Sequence, residues 1–489
     1  MPLLQTASDN TGGYRLALAA TLALTLLLGI VFMPAFLYPG DAYAMRAEAR
    51  ALLTTGWLAV PTIETTGQQE GQYYVLNARD NRMYSKYGIG NSLAFIPPLA
   101  IEYLTQGSLP YQDRVLRLQL LNGYNVVLSL ILAGLLFLTC RELKLSPFAC
   151  ASFVVSCLFC GFTWNYLRAQ TVEIFQLVAT AAAFFALLRV GRNATPVSIA
   201  ALYAALMALC LLRFSFVLPV AVIALAAIIL TRANKQLIAL QAILVAAIFL
   251  ALGTINYLKF GSPFLSGYHI WRPDLHKPSL ANLPDGLLGF LFNPQRSIFL
   301  HFPLLFIAAV VGLKFLKQYR LFYLSVLGAF AVSYISTSSL TSWRGENCYG
   351  PRYLLFILPQ LALPAALALD WKPHWPKLLV YPLLAWSVWA QVQVNRLEFF
   401  AYYRVRSVFE INGLPTQRHW PKEITAAHFG VLNARIQDPS LPIDSTYGID
   451  RYPQIQAALR RDLIPVLQKL RSYPNLYWWQ NKQVPNERD

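Results

Sequence analysis

The sequence predicts an all-α polytopic membrane protein. Hydrophobic residues make up 56% of the 489 residues and charged residues only 13%, which is far from the composition of a soluble globular chain. Many apolar stretches reach the roughly 17–25 residues that a helix needs to cross a bilayer. These stretches must be helical, because lipid offers no partner to an unpaired backbone group. The net charge of +17 lies largely in short loops between them, which indicates membrane orientation and lipid headgroups rather than nucleic acid.

About eleven stretches qualify as transmembrane helices. They cover residues 16–36, 116–139, 147–164, 171–190, 197–213, 214–230, 237–257, 298–316, 321–339, 353–370 and 377–395. A further apolar stretch at 88–105 is short and contains Pro97 and Pro98, and whether it spans decides the side of every later loop. If it does not span, the basic residues of the short loops fall on one side, as the positive-inside tendency requires. These residues are Arg15, Arg141, Lys144, Arg189, Arg192, Arg232, Lys235, Lys314, Lys317, Arg320, Lys372 and Lys377.

This arrangement predicts a protein of the cell (inner) membrane with a cytoplasmic N-terminus and an extracytoplasmic C-terminus. The chain is divided into two units. Residues 1–395 form the membrane domain, and 37–115 form its long outer loop with interfacial helices, including 88–105. Within that loop, Asp41–Thr55 is predicted to be an alanine-rich helix that ends at Gly56. Residues 396–489 are polar and long enough for a small extracytoplasmic domain.

Polar residues gather on the predicted outer side, at helix ends and in loops. Two are acidic: Asp41 at the mouth of the first span and Glu173 at the start of the fourth. Three are cations in outer segments: Lys86, Arg296 and Arg352. Carboxylates beside cations suit a reaction in which a base removes a proton while cations hold an anionic leaving group. A lipid-linked phosphate fits such a site, because its anion lies at headgroup depth while its tail stays in the membrane.

The order of these motifs resembles the GT-C superfamily of membrane glycosyltransferases, which use polyprenyl-phosphate sugars. Its members include protein O-mannosyltransferases and lipid A aminoarabinose transferases. The matching motifs are Tyr38-Pro39-Gly40-Asp41, Tyr84-Ser85-Lys86-Tyr87-Gly88, Arg168-Ala169-Gln170-Thr171-Val172-Glu173, Asn293-Pro294-Gln295-Arg296 and Gly350-Pro351-Arg352-Tyr353. The resemblance covers residues 15–395, and the combination in this order is more specific than any single motif.

The resemblance implies roles for individual residues. Asp41 matches the acidic residue that deprotonates the acceptor hydroxyl, and Lys86, Arg296 and Arg352 match cations near the donor phosphate. Glu173 matches a second acidic position, where many relatives carry Asp, and its role is left open between metal ligand, acceptor contact and structural partner. Other outer residues are expected to contact the substrates: Tyr84, Tyr87, Trp343, Glu346 and Tyr349.

The predicted function is an inverting glycosyltransferase. It would move a sugar from a polyprenyl-phosphate donor to a hydroxyl of a lipid, glycan or protein acceptor, in one displacement without a covalent intermediate. With a monophosphate leaving group the protein cations suffice, so no cofactor is predicted. If the donor were a diphosphate, Asp41 and Glu173 could instead share a divalent cation such as Mg²⁺ or Mn²⁺.

Structural alternatives stand beside each role. Asp41 could simply cap its helix. Lys86 could be an interfacial lysine that contacts lipid headgroups. Glu173 could pair with Arg168, and Arg352 with Glu346.

For the whole chain the main alternative is a transporter or flippase of a lipid-linked or anionic solute. Such proteins usually carry ionisable residues in mid-span and are built from inverted repeats. Here the charges lie at the outer helix ends and no repeat is evident, which favours the enzyme. A non-catalytic assembly protein that presents the C-terminal domain is a third alternative, for which no specific feature argues.

Overall fold

The chain is described by a computed structural model. It describes residues 11–35, 37, 41–61, 73–110, 114–271, 277–345, 348–370, 375–395 and 461. This part of the chain is mostly helical, which confirms the predicted all-α class. Glu346 and, apart from Arg461, the predicted C-terminal domain at 396–489 lie outside the described residues, so the predictions for them stay predictions.

The described residues form eighteen α-helices. They are α1 Thr11–Val31, α2 Asp41–Thr55, α3 Ile89–Gln106, α4 Val115–Glu142, α5 Pro147–Phe159, α6 Thr163–Arg168, α7 Glu173–Arg192, α8 Pro196–Leu212, α9 Val217–Thr231, α10 Lys235–Phe260, α11 Gly267–Trp271, α12 Leu283–Phe292, α13 Ile298–His301, α14 Leu304–Gln318, α15 Arg320–Ser338, α16 Leu358–Leu361, α17 Leu363–Leu369 and α18 Trp375–Asn395. Two 3₁₀ segments cover Phe214–Phe216 and Arg352–Ile357. Strands β1 (Tyr74–Asn77) and β2 (Arg82–Ser85) form an antiparallel hairpin in which Tyr74 pairs with Ser85.

Within the described residues, six helices are long and apolar enough to cross a bilayer: α1, α4, α7, α9 with its preceding 3₁₀ turn, α10 and α15. The segment from Arg352 to Leu369 makes a seventh if its two halves, bent by 42°, form one span. The chain is therefore an integral membrane protein. The other predicted spans also contain helices, but these are shorter or less apolar, so the count of eleven stays a prediction.

The first loop folds against the bundle. Helix α2 begins at Asp41 and ends at Thr55, as predicted, and Gly56 follows with a left-handed φ of 70°. Its alanines are almost completely buried and pack against α3, because small side chains let two helices approach closely. Helix α3, at the position predicted to be interfacial, is not among the candidate spans of the described chain. The carboxylate at the start of α2 is thus fixed to a rigid support.

Close backbone contacts hold the segment between β2 and α3. A Cβ atom at Gly88 would lie 2.3 Å from the Leu211 carbonyl oxygen, and one at Gly267 would lie 2.3 Å from the Lys86 carbonyl oxygen. Only glycine allows these approaches without a backbone shift. They place the Lys86–Tyr87 segment beside the end of α8 and the start of α11.

Candidate active site

Asp41 meets side chains from two distant parts of the chain. Its Oδ1 accepts a 2.5 Å hydrogen bond from the Tyr87 hydroxyl, and its Oδ2 lies 3.1 Å from the Arg352 Nη2. Neither interaction is a bond to an amide of α2. Among the described residues the carboxylate is therefore held by tertiary partners, and the structure brings together three residues that the sequence placed in one site.

Glu173 joins this group through Arg352. The Glu173 Oε1 lies 3.8 Å from the Arg352 Nε, so one guanidinium stands between two carboxylates. The exposed fraction of the side chains falls from 33% for Asp41 to 18% for Arg352 and 7% for Glu173. Asp41 is the carboxylate that a substrate can reach, and Glu173 lies beneath it. Arg168, the alternative partner of Glu173, instead donates to the carbonyl oxygens of Phe32 and Asn395.

The surroundings of Asp41 favour its ionised form. Burial raises the pKa of its carboxyl group, but the Arg352 guanidinium, the Tyr87 hydroxyl and the Lys86 ammonium together lower it by more. The net pKa lies below the usual value for aspartate. The Tyr87 hydroxyl shows the converse effect, since burial and the neighbouring Asp41 charge raise its pKa well above the ordinary value. Tyr87 therefore donates its proton in a hydrogen bond and keeps it.

Lys86 is buried among aromatic rings. Its Nζ lies 2.9 Å from the centroid of the Trp271 ring, 5.2 Å from that of Tyr87, 5.5 Å from that of Tyr73 and 5.8 Å from that of Tyr268. Such faces attract a cation, and they also keep water away from it. The result is a positive charge of low hydration next to the Asp41 carboxylate.

Arg213 is a further cation at the site, and the sequence did not predict it as a site residue. It follows α8 directly and is half-buried, with its guanidinium carbon 4.5 Å from the centroid of the Tyr353 ring. The guanidinium carbon of Arg352 lies 5.5 Å from the centroid of the same ring, and the Arg213 charge offsets part of the rise that burial causes in the pKa of Tyr268. Within the described chain Arg213 makes no ion pair with a carboxylate. A lone arginine between two apolar stretches on the predicted outer side was the signal that could have identified it.

A buried ion pair supports the site from below. Lys259 of α10 lies 2.6 Å from Glu48 of α2 and donates a 2.8 Å hydrogen bond to the Tyr87 carbonyl oxygen. Ser92 donates to the other Glu48 oxygen at 2.6 Å. Both charged side chains are 1% exposed or less. This group links α2, α3 and α10 to the residue that holds Asp41.

The structure does not join four other predicted residues to the Asp41 carboxylate. The Tyr84 hydroxyl donates to Asp80 at 2.6 Å. The indole N–H of Trp343 donates to Asp285 at 2.9 Å.

The remaining two hold the loop before the second 3₁₀ segment: Tyr349 lies in this loop, and Arg296 reaches it from the turn between α12 and α13. Arg296 donates to the Cys348 carbonyl oxygen at 2.7 Å and points its guanidinium at the Gly350 carbonyl oxygen. The buried Tyr349 exchanges backbone hydrogen bonds with the Tyr166 hydroxyl and accepts one from Gln391 at its own hydroxyl. These contacts hold the backbone immediately before Arg352, so they position the arginine.

The described residues were also searched for side chains that could hold a metal ion. Across the ranges that the structure describes, no three His, Cys, Asp or Glu side chains are grouped closely enough to hold an ion. Asp41 and Glu173, which could share a divalent cation if the donor were a diphosphate, both contact the guanidinium of Arg352.

Comparison with known proteins gives one kind of match. No protein-family model and no curated protein matches the chain. Among solved structures, ArnT from Cupriavidus metallidurans in the apo state matches with a TM-score of 0.51 and 12% identity, over 94% of this chain and 76% of that chain. The chain is similar in fold to ArnT. This likeness is one of fold, and the fold is the one that the motif resemblance led us to expect. The same protein bound to undecaprenyl phosphate matches with a TM-score of 0.47 over the same shares, also at 12% identity.

Proposed function

We propose that the chain is an inverting glycosyltransferase of the GT-C type. It moves a sugar from a polyprenyl-phosphate donor to an acceptor hydroxyl on a lipid, glycan or protein. The observation that carries this proposal is the partly exposed Asp41 carboxylate, kept ionised by Tyr87, Arg352 and Lys86. A further cation, Arg213, lies against the ring of Tyr353, the residue that follows Arg352. We place the site on the extracytoplasmic face of the inner membrane, in agreement with the positions of the basic loops.

Asp41 acts as the general base. The acceptor oxygen attacks the anomeric carbon as the bond from that carbon to the phosphate oxygen breaks, and its proton passes to the Asp41 Oδ2 or Oδ1. A carboxylate of low pKa is a sufficient base, because the hydroxyl becomes acidic only as it bonds to the electron-poor anomeric carbon. Tyr87 fixes the direction of the carboxylate, as a catalytic base requires.

Lys86 and Arg213 stabilise the departing phosphate. Arg213 is the more accessible of the two and presents a planar set of donors that suits phosphate oxygens. Lys86, which is buried among aromatic rings, adds a second positive charge that attracts the phosphate. At a separation of about 4 Å and an effective dielectric constant of about 20, each cation contributes about 4 kcal/mol to holding a unit negative charge.

Arg352 and Glu173 take supporting roles in this proposal. Arg352 already balances both carboxylates, so a phosphate at this guanidinium would have to share it with Asp41. We therefore assign Arg352 chiefly to the base, with Glu173 holding the arginine in place. This reaction is carried by protein cations and does not call for a divalent metal.

The two phosphate cations give the experiment that tests this function. Arg213→Ala and Lys86→Ala are each expected to raise the KM for a polyprenyl-phosphate sugar by about tenfold or more, because an ion-assisted hydrogen bond contributes about 1.5–3 kcal/mol. The kcat for sugar transfer should change less than this KM. Initial rates of sugar transfer by the purified protein in liposomes, at varied donor concentration, measure both quantities.

Arg344→Ala is the matched control, since this arginine is 59% exposed and pairs with Asp285 away from the carboxylates. Its donor KM should stay at the wild-type value. If all three variants have that value, the phosphate site assigned here does not exist.

The pH dependence of the reaction follows from the hydrogen bond between Tyr87 and Asp41. Because the pKa of Asp41 is lowered, wild-type kcat/KM should hold as the pH falls and decline only below the ordinary value of 3.8. Tyr87→Phe removes a hydrogen bond that lowers this pKa, so the acid limb of the profile should move to higher pH. Tyr84→Phe removes a hydroxyl that bonds Asp80 instead and should leave the limb unchanged. A profile that is identical in Tyr87→Phe and wild type would refute the assignment.

A further inference from the structure

A cleft of about 330 Å³ opens at the end of the helix bundle that lies opposite Asp41. It is lined by the ends of α4, α7 and α9 and by the start of α15. Helix α7 gives the distance between the two sites: Glu173 begins it and Arg192 ends it, and 20 helical residues extend about 30 Å. That length is close to the hydrocarbon thickness of a bilayer, so the cleft lies at the depth of the other leaflet's headgroups.

The floor of the cleft is apolar. It consists of aliphatic and aromatic side chains from three membrane helices: Leu187, Leu188, Ala226, Leu230, Leu321 and Phe322. A small soluble anion would gain nothing from contact with such a surface, whereas the upper part of a lipid acyl chain would pack against it.

The rim of the cleft is positive. Glu142 is 5% exposed and is shared by two arginines, Arg192 in direct contact and Arg189 at 3.4 Å. Both arginines are about half exposed, at 46% and 57%. Lys144 also lines the cleft, is exposed, and makes no ion pair within the described residues. Three cations therefore face one carboxylate. The nearby Asp370 is engaged by the backbone N–H and hydroxyl of Ser146.

Lys144 occupies a backbone position that suits glycine. Its φ is 57°, in the left-handed region, and it closes α4 with hydrogen bonds from its own N–H to the Arg141 carbonyl oxygen and from the Leu145 N–H to that of Cys140. This pattern is the helix end in which glycine is the usual residue, because a Cβ atom is unfavourable there. A lysine at this position costs backbone stability, which points to a use for its side chain.

We propose that this cleft binds an anionic glycerophospholipid. The phosphodiester headgroup lies between Lys144 and Arg192, and the start of an acyl chain lies on the apolar floor. Basic pockets between membrane helices are the kind of site that recognises such headgroups. The site is separate from the one proposed for sugar transfer and does not depend on it.

The position of Lys144 gives a sharp test. Lys144→Gly removes the cation while relieving the left-handed backbone, so the variant should fold at least as well as wild type. We would measure the thermal midpoint of the delipidated full-length protein in detergent, with dioleoyl-phosphatidylglycerol, dioleoyl-phosphatidylcholine or inorganic phosphate added. Phosphatidylglycerol should raise the wild-type midpoint saturably, and the other two should not. Lys144→Gly should weaken the apparent phosphatidylglycerol affinity about fivefold.

Two further variants separate the cleft from general surface charge. Lys235→Ala removes an exposed cation at the same end of the bundle and should keep the wild-type affinity. Gly191→Met should block the lipid, because a Cβ there has only ordinary contacts with Leu230 at 3.7 Å and a longer side chain enters the cleft. Equal shifts with phosphatidylglycerol and phosphatidylcholine, a shift with inorganic phosphate, or equal weakening in Lys144→Gly and Lys235→Ala would each overturn the proposal.

Discussion

Replacement of Asp41 by asparagine is expected to lower kcat for sugar transfer by about 10²–10⁴, the range that a positioned general base contributes. Asparagine has the same shape and can still accept the hydrogen bond from Tyr87, so the carboxylate's proton affinity is the property that is lost. Arg352 keeps Glu173 as a counter-ion, and the site should therefore remain folded. Turnover of a polyprenyl-phosphate sugar by the purified variant in liposomes measures the effect.

The donor KM of Asp41→Asn should change little, because the phosphate is assigned to Lys86 and Arg213. Asp285→Asn is the matched control: its carboxylate is 62% exposed and pairs with Arg344, so both kcat and KM should be preserved. A value of kcat near that of wild type in Asp41→Asn would remove the base assignment.

Replacement of Lys259 by methionine is expected to lower the free energy of unfolding by about 3–5 kcal/mol, the usual cost of leaving one charge of a buried pair without its partner. Glu48 would then be a buried carboxylate that keeps its hydrogen bond from Ser92 but has lost its counter-ion, and the Tyr87 carbonyl oxygen would lose its hydrogen bond from Lys259. Denaturant unfolding in detergent measures the stability.

The double variant Glu48→Gln with Lys259→Met should recover most of that loss, because it leaves no unpaired charge. Lys235→Met changes an exposed lysine at the other end of the same helix and should cost less than about 1 kcal/mol. If the single Lys259→Met variant is as stable as this control, the buried pair does not hold the site as described.

The sequence was a good guide where local chemistry decides the outcome. The bounds of α2 followed from its alanines and from Gly56, and the grouping of Asp41, Glu173 and Arg352 followed from their common position at outer helix ends. Helix ends that share one membrane face meet once the helices pack. Local pattern was therefore enough to assemble the core of the candidate site.

Tertiary contacts decided the rest. Nothing in the sequence pairs Glu48 with Lys259, which are 211 positions apart, or brings Arg213 to the ring of Tyr353. A polar side chain in an outer loop can contact substrate or form hydrogen bonds within the protein, and sequence does not distinguish the two. Trp343 and Arg296 were expected to touch substrate, and the structure shows them bonded to Asp285 and to backbone carbonyls.

The most direct test of the central claim is an experimental structure of the wild-type protein with undecaprenyl phosphate bound. We expect phosphate density within hydrogen-bond distance of the Arg213 guanidinium and close to Lys86, with the Asp41 carboxylate facing the side from which an acceptor would attack. Phosphate density at a place remote from both cations, or at the opposite membrane face, would contradict it.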